Sequence, residues 1–251
     1  MEKILILLLP VVTIPAAIIY QNLRSKMTRP KPSNPIYSTI RVLKLININF
    51  FLNLTLVLVN IYVTSVIFSR VIFTPFSVFI LALYAISLFI VLYGCGIYVT
   101  TVVLNCYLKD PITNAELKAD HLLHGVISHI LMLSGWLLVL FFQVILEVNF
   151  ARPEFSALQQ PLFFAGLIYG FVFAVLQIIN DTYIYQMLVS LVTGLIFYIN
   201  IFAISASIKD HPIAGFYLGF IFVCSSILLS HVVYRIVTKK KISWNRAKYR
   251  Y

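Results

Sequence analysis

Seven long apolar stretches, separated by short polar segments, fill almost the whole chain. They run over residues 4–20, 42–68, 75–104, 121–147, 161–179, 183–206 and 212–237. A bilayer core takes about 20 apolar helical residues per crossing. Within lipid an open strand edge would leave its backbone groups unsatisfied, so each stretch is expected as helix. The pattern predicts an all-α, polytopic integral membrane protein. It is a single bundle of about seven transmembrane helices over residues 1–238, followed by a basic and aromatic tail at 239–251.

The punctuation supports these limits. Pro75, Pro161 and Pro212 open three of the spans, where a missing N–H has no helical partner to lose. Thr113-Asn114-Ala115-Glu116 has the form of a capping box. It predicts a fourth helix that begins near residue 114 in water and runs to Glu147. Pro10 and Pro15 should kink the first span. No small-residue cleavage pattern follows it, so we expect it to be retained rather than removed as a signal segment.

Charge then orients the bundle. Arg24, Lys26, Arg29, Lys31, Arg41, Lys44, Lys109 and Lys118 fall on one side with the tail cations from Arg235 onward. Only Lys3, Arg70, Arg152 and Lys209 fall on the other. Basic loops stay cytoplasmic, which predicts an outside N-terminus and a cytoplasmic C-terminus. Composition agrees: 61% of residues are hydrophobic and 11% charged, against about a quarter charged in soluble domains. The net charge of +11 flanks the spans, so its expected partners are the lipid bilayer and anionic headgroups, not nucleic acid. The expected location is a plasma or inner membrane. Cys95, Cys106 and Cys224 lie in or beside spans and suggest no disulfide framework.

The interiors of the spans carry amides, hydroxyls and histidines, with no Asp, Glu, Lys or Arg near a midpoint. That argues against pumps and voltage sensors, which hold ionisable groups at depth. Asn49, Asn53, Asn60 and Thr64 form one stripe on the second span. Gln186, Ser190, Thr193 and Asn200 form another on the sixth, and His129, Trp136, Gln143 and Glu147 a third on the fourth. Three polar seams suggest a common interior. Asn49, Asn53, Asn60, His129, Gln143, Ser190, Thr193 and Asn200 are the candidate lining of a polar cavity. The same residues would equally serve as hydrogen bonds between helices, worth about 0.6 kcal/mol each.

A second constellation is histidine-based. Asp120, His124 and His129 cluster near the start of the fourth span, and His231 lies at the matching end of the seventh. Such a set could ligate a divalent metal or a haem in a redox or lipid-modifying enzyme. A helix-end Asp–His pair is also an ordinary partner of the helix dipole. Nucleophile elbows, phosphate loops and cysteine pairs with zinc spacing are absent from the sequence. The expectation is therefore a non-enzymatic, transporter-like bundle without a cofactor, or a subunit of a larger membrane complex with other membrane subunits as partners. A histidine-based metal or haem enzyme is the alternative.

Overall fold

Thr74 and Ser77 show how these helices begin. The Ser77 N–H donates to Thr74 Oγ1 at 3.1 Å, and the Thr74 N–H donates to Ser77 Oγ at 2.8 Å. This is a reciprocal cap, with serine where a glutamate more often stands. Pro75 occupies the first helical position between them. The structure is a computed structural model. It describes residues Leu58, Asn60, 73–107, 121–150, 159–204, 208 and 211–240.

Every regular element among the described residues is helical. Helix α1 spans Pro75–Tyr107, and a π-helical segment, His121–Ser128, leads directly into α2, His129–Phe150. Helices α3, α4 and α5 span Gln159–Ile179, Tyr183–Ile204 and Pro212–Val237. Five stretches are long and apolar enough to cross a membrane: Pro75–Thr101, Leu122–Phe150, Leu162–Ile179, Tyr183–Ile204 and Pro212–Val237. The protein thus has the helices of a multi-pass membrane protein. The first span, the second apart from Leu58 and Asn60, the Thr113 cap and residues 241–251 lie outside the described residues.

Helices α1 and α2 form an antiparallel pair. Helix α4 returns antiparallel to α3 through a turn in which Asp181 takes a left-handed φ of 55°, a conformation that Asp tolerates. Helix α5 runs parallel to α3 and makes its largest interface there. Small residues make that interface possible. A Cβ on Gly166 or Gly170 would collide with the backbone carbonyls of Phe216 and Phe220, and one on Gly219 with that of Phe163. With lipid on the outside, close backbone approach supplies the dispersion contacts that water would otherwise drive. Phe173 lies edge-on to Phe220, and Tyr169 to Phe216, across the same seam. Gly94 plays a similar part between α1 and α2, where a Cβ would stand 2.7 Å from the Met132 nitrogen.

Leu137, Val144, Leu146, Tyr183, Tyr217, Phe220 and Leu228 form the buried centre of the bundle. Phe79, Phe89, Phe164, Phe171, Phe202 and Phe222 point outward, as a lipid-facing surface requires. Several boundaries differ from the sequence reading. Helix α1 continues to Tyr107, α2 continues three residues past Glu147, and α3 starts two residues before Pro161. Apolarity marks where lipid ends, whereas a helix continues until its carbonyls find other partners.

Candidate functional site

The seam predicted on α4 is real and is shared. Gln186, Ser190, Thr193 and Phe197 are its buried face. At the level of Gln186, the amide Nε2 donates to Ser134 Oγ on α2 at 3.1 Å. One turn on, Ser225 Oγ of α5 donates to Ser190 Oγ at 3.2 Å. The Thr193 hydroxyl donates to the Val189 carbonyl at 2.8 Å, and the buried Tyr217 hydroxyl of α5 has no hydrogen-bond partner among the described residues. Near the far end, Asn200 and Asn149 of α2 exchange amide hydrogen bonds at 3.1 and 3.4 Å. Polar rungs therefore run along most of α4, bonding it to α2 and α5. Most side-chain dipoles of the seam meet another dipole instead of hydrocarbon.

Two further polar contacts extend this interior. Gln143 Nε2 donates to Asn60 Oδ1 at 3.1 Å, and both residues are buried. That bond ties the second span to α2, so the three seams expected from the sequence each have a polar contact to another helix. Asn49 and Asn53 lie outside the described residues. The second contact is one that polarity patterning missed. Glu147, 5% exposed, accepts the Ile213 N–H on Oε1 at 3.1 Å and the Ala214 N–H on Oε2 at 2.8 Å. These are the donors that the first turn of α5 cannot satisfy itself. His211, which precedes Pro212, makes no side-chain cap. Glu147 thus caps a helix 66 residues away in sequence, with its two carboxyl oxygens placed at the positive end of the helix dipole. Pro212 without Ser, Thr, Asp or Asn before it was the signal available in the sequence.

The polar residues of α2 meet different neighbours along its length. His129 faces Tyr98 of α1, and Trp136 packs with the cluster of Tyr84, Val91, Cys95 and Val139 between α1 and α2. Gln143 and Glu147 face other neighbours. Steps of seven residues drift by only about 20° on a straight α-helix, so these residues keep to one side and meet different partners because they stand at different heights.

Two of the candidate metal ligands come together. His124 and His129 are buried, with ring centroids 5.7 Å apart. His231 is at the same end of the bundle but against the α4 side, edge-on to Tyr183 at 4.8 Å. Asp120 lies outside the described residues. Among the described residues there is no group of three His, Cys, Asp or Glu side chains placed to hold one ion. Searches of protein-family models, of curated proteins and of solved structures found no match to this chain.

Proposed function

We propose that the chain is a non-enzymatic, transporter-like bundle that lets a small, uncharged, hydrogen-bonding solute cross the membrane. The observation that carries this reading is the ladder of amides and hydroxyls shared by α2, α4 and α5. Its groups both donate and accept but hold no fixed charge, which suits a polyol or an amide better than an ion. Each rung is worth about 0.6 kcal/mol, so a solute can replace rungs one at a time. Glu147 is spoken for by two backbone donors, which favours facilitated movement over ion-coupled pumping. Gln186 supports the reading further: its side chain is fully buried, and its Oε1 has no hydrogen-bond partner among the described residues.

Arg235, Lys239 and Lys240 lie at one end of the bundle. Lys240 stands over the Tyr234 ring at 4.9 Å and Arg235 over Tyr183 at 5.9 Å. Cations backed by aromatic rings at a span end suit anionic headgroups. In this proposal that end is cytoplasmic, in a plasma or inner membrane, and the N-terminus is outside.

Proteoliposomes shrunk osmotically in glycerol or urea provide the test. Light scattering should show re-swelling faster than in protein-free vesicles, and Thr193→Val should slow it. Rates equal to those of empty vesicles for both solutes would overturn the transport reading and leave the bundle as a subunit of a larger assembly.

A further inference from the structure

We propose that Phe141, Phe197 and Tyr217 form a selecting constriction in the solute path, which passes slender polyols such as glycerol and turns back wider ones and ions. It rests on the path proposed above and adds the place along it where solutes are sorted. The polar seam changes character partway along. From the Ser190–Ser225 rung to the Asn149–Asn200 rung, α4 rises about 15 Å. Between those rungs α2, α4 and α5 meet through aromatic rings.

Each of the three helices contributes one ring. Tyr217 of α5 lies edge-on to Phe197 of α4, with centroids 5.1 Å apart, and tilted to Phe141 of α2 at 6.3 Å. All three side chains are buried. On every helix the ring is placed consistently: Phe141 stands between Ser134 and Asn149, Phe197 between Ser190 and Asn200, and Tyr217 two turns before Ser225. The rings therefore make one layer across the seam. Rings at these separations touch, so the layer is closed in this conformation and opens only when a ring turns aside.

The second observation is the Tyr217 hydroxyl. It is the polar group that the layer itself carries, and it has no hydrogen-bond partner among the described residues. Gln143, two residues beyond Phe141, is turned to Asn60 instead. A buried hydroxyl without a partner costs free energy, and a hydroxyl of a passing solute would satisfy it. A phenol both donates and accepts, which matches a polyol. An ion finds there no counter-charge and too few dipoles to replace its hydration shell. Chemistry is thus selected by one hydroxyl, and width by three rings.

Full-chain proteoliposomes should be compared by light scattering in glycerol and in inositol, a wider ring bearing the same kind of hydroxyl groups. The unaltered protein should pass glycerol and hold inositol to the rate of protein-free vesicles. Phe197→Leu keeps an apolar side chain in the layer but narrows it, and should admit inositol; Phe141→Leu should act in the same direction. Tyr217→Phe keeps the ring and loses the hydroxyl. It should lower glycerol flux by about 2- to 10-fold, the worth of one hydrogen bond, without lowering thermal stability. Phe173→Leu, the same change in the α3–α5 interface, should still exclude inositol. Suppose the unaltered protein passes glycerol, yet both leucine variants of the layer exclude inositol or Tyr217→Phe keeps full glycerol flux. The constriction would then be overturned and the transport reading left standing. Inositol entry through Phe173→Leu would mean general loosening and would also overturn the constriction. No glycerol flux through the unaltered protein or any variant would overturn both.

Discussion

The α3–α5 interface and the α2–α4–α5 seam hold the same bundle by opposite means. Between α3 and α5, glycines let backbone touch backbone, and phenylalanine rings fill the flanks. No side-chain hydrogen bond is needed there. Along α4 the helices stand far enough apart for polar side chains to meet, and they do so rung by rung. The first contact is rigid because no backbone atom can be displaced cheaply. The second can exchange partners, because each hydrogen bond is modest and another polar group can replace it. A membrane bundle that must pass a solute needs both kinds of contact, a fixed wall and an exchangeable one.

The strongest way to break this contrast is at the wall. Gly170→Leu would drive a side chain into the Phe220 backbone; it should cost about 3 kcal/mol or more, or prevent folding. Gly96→Ala, where nothing lies within 4 Å of the added methyl group, should leave thermal stability in detergent unchanged or raise it by up to about 1 kcal/mol. Equal effects would remove the backbone-contact account. Next in size is the cap. Glu147→Ala strands the N–H groups of Ile213 and Ala214, a loss of about 2–3 kcal/mol, and the start of α5 should gain hydrogen-exchange rate. Glu147→Gln keeps one carbonyl acceptor and should lose less.

The rungs should respond weakly. A double-mutant cycle of Asn149→Ala and Asn200→Ala should give a coupling of about 0.6 kcal/mol; a value near zero would mean that the amide pair holds nothing. The smallest change is expected for Gln186→Leu. It loses the bond to Ser134 but also removes a buried carbonyl oxygen that lacks a partner among the described residues. Those terms oppose each other, so stability should move by no more than about 0.5 kcal/mol, while solute flux changes.

Apolar length and punctuation made the five described spans legible. The limits of α5 and the start of α4 agree with the sequence reading to the residue. The α4 seam was legible too, since residues spaced by three and four share a face. Its neighbours were not. Periodicity says which side of a helix is polar, but α2 and α4 are parallel and not consecutive, so no loop length pairs Ser134 with Gln186. Polarity likewise says nothing of Gly166 and Gly170, although a four-residue glycine spacing was there to be read. His231 was placed at the right end of the bundle but on an unknown side; Tyr183 claims it. The π-helical turn around His124 leaves no mark in residue type beyond Gly125.

The central claim, an exchangeable polar seam beside a dry wall, is tested most directly by cysteine accessibility. In a chain with Cys95, Cys106 and Cys224 replaced by alanine, Ser190→Cys and Thr193→Cys probe the seam, and Ala174→Cys probes the buried core of α3. A water-soluble, positively charged methanethiosulfonate reagent applied to proteoliposomes should modify both seam cysteines and leave position 174 untouched. Thr193→Cys and Ser190→Cys as unreactive as Ala174→Cys would mean that water does not reach the seam, and the account of a solute path would be wrong.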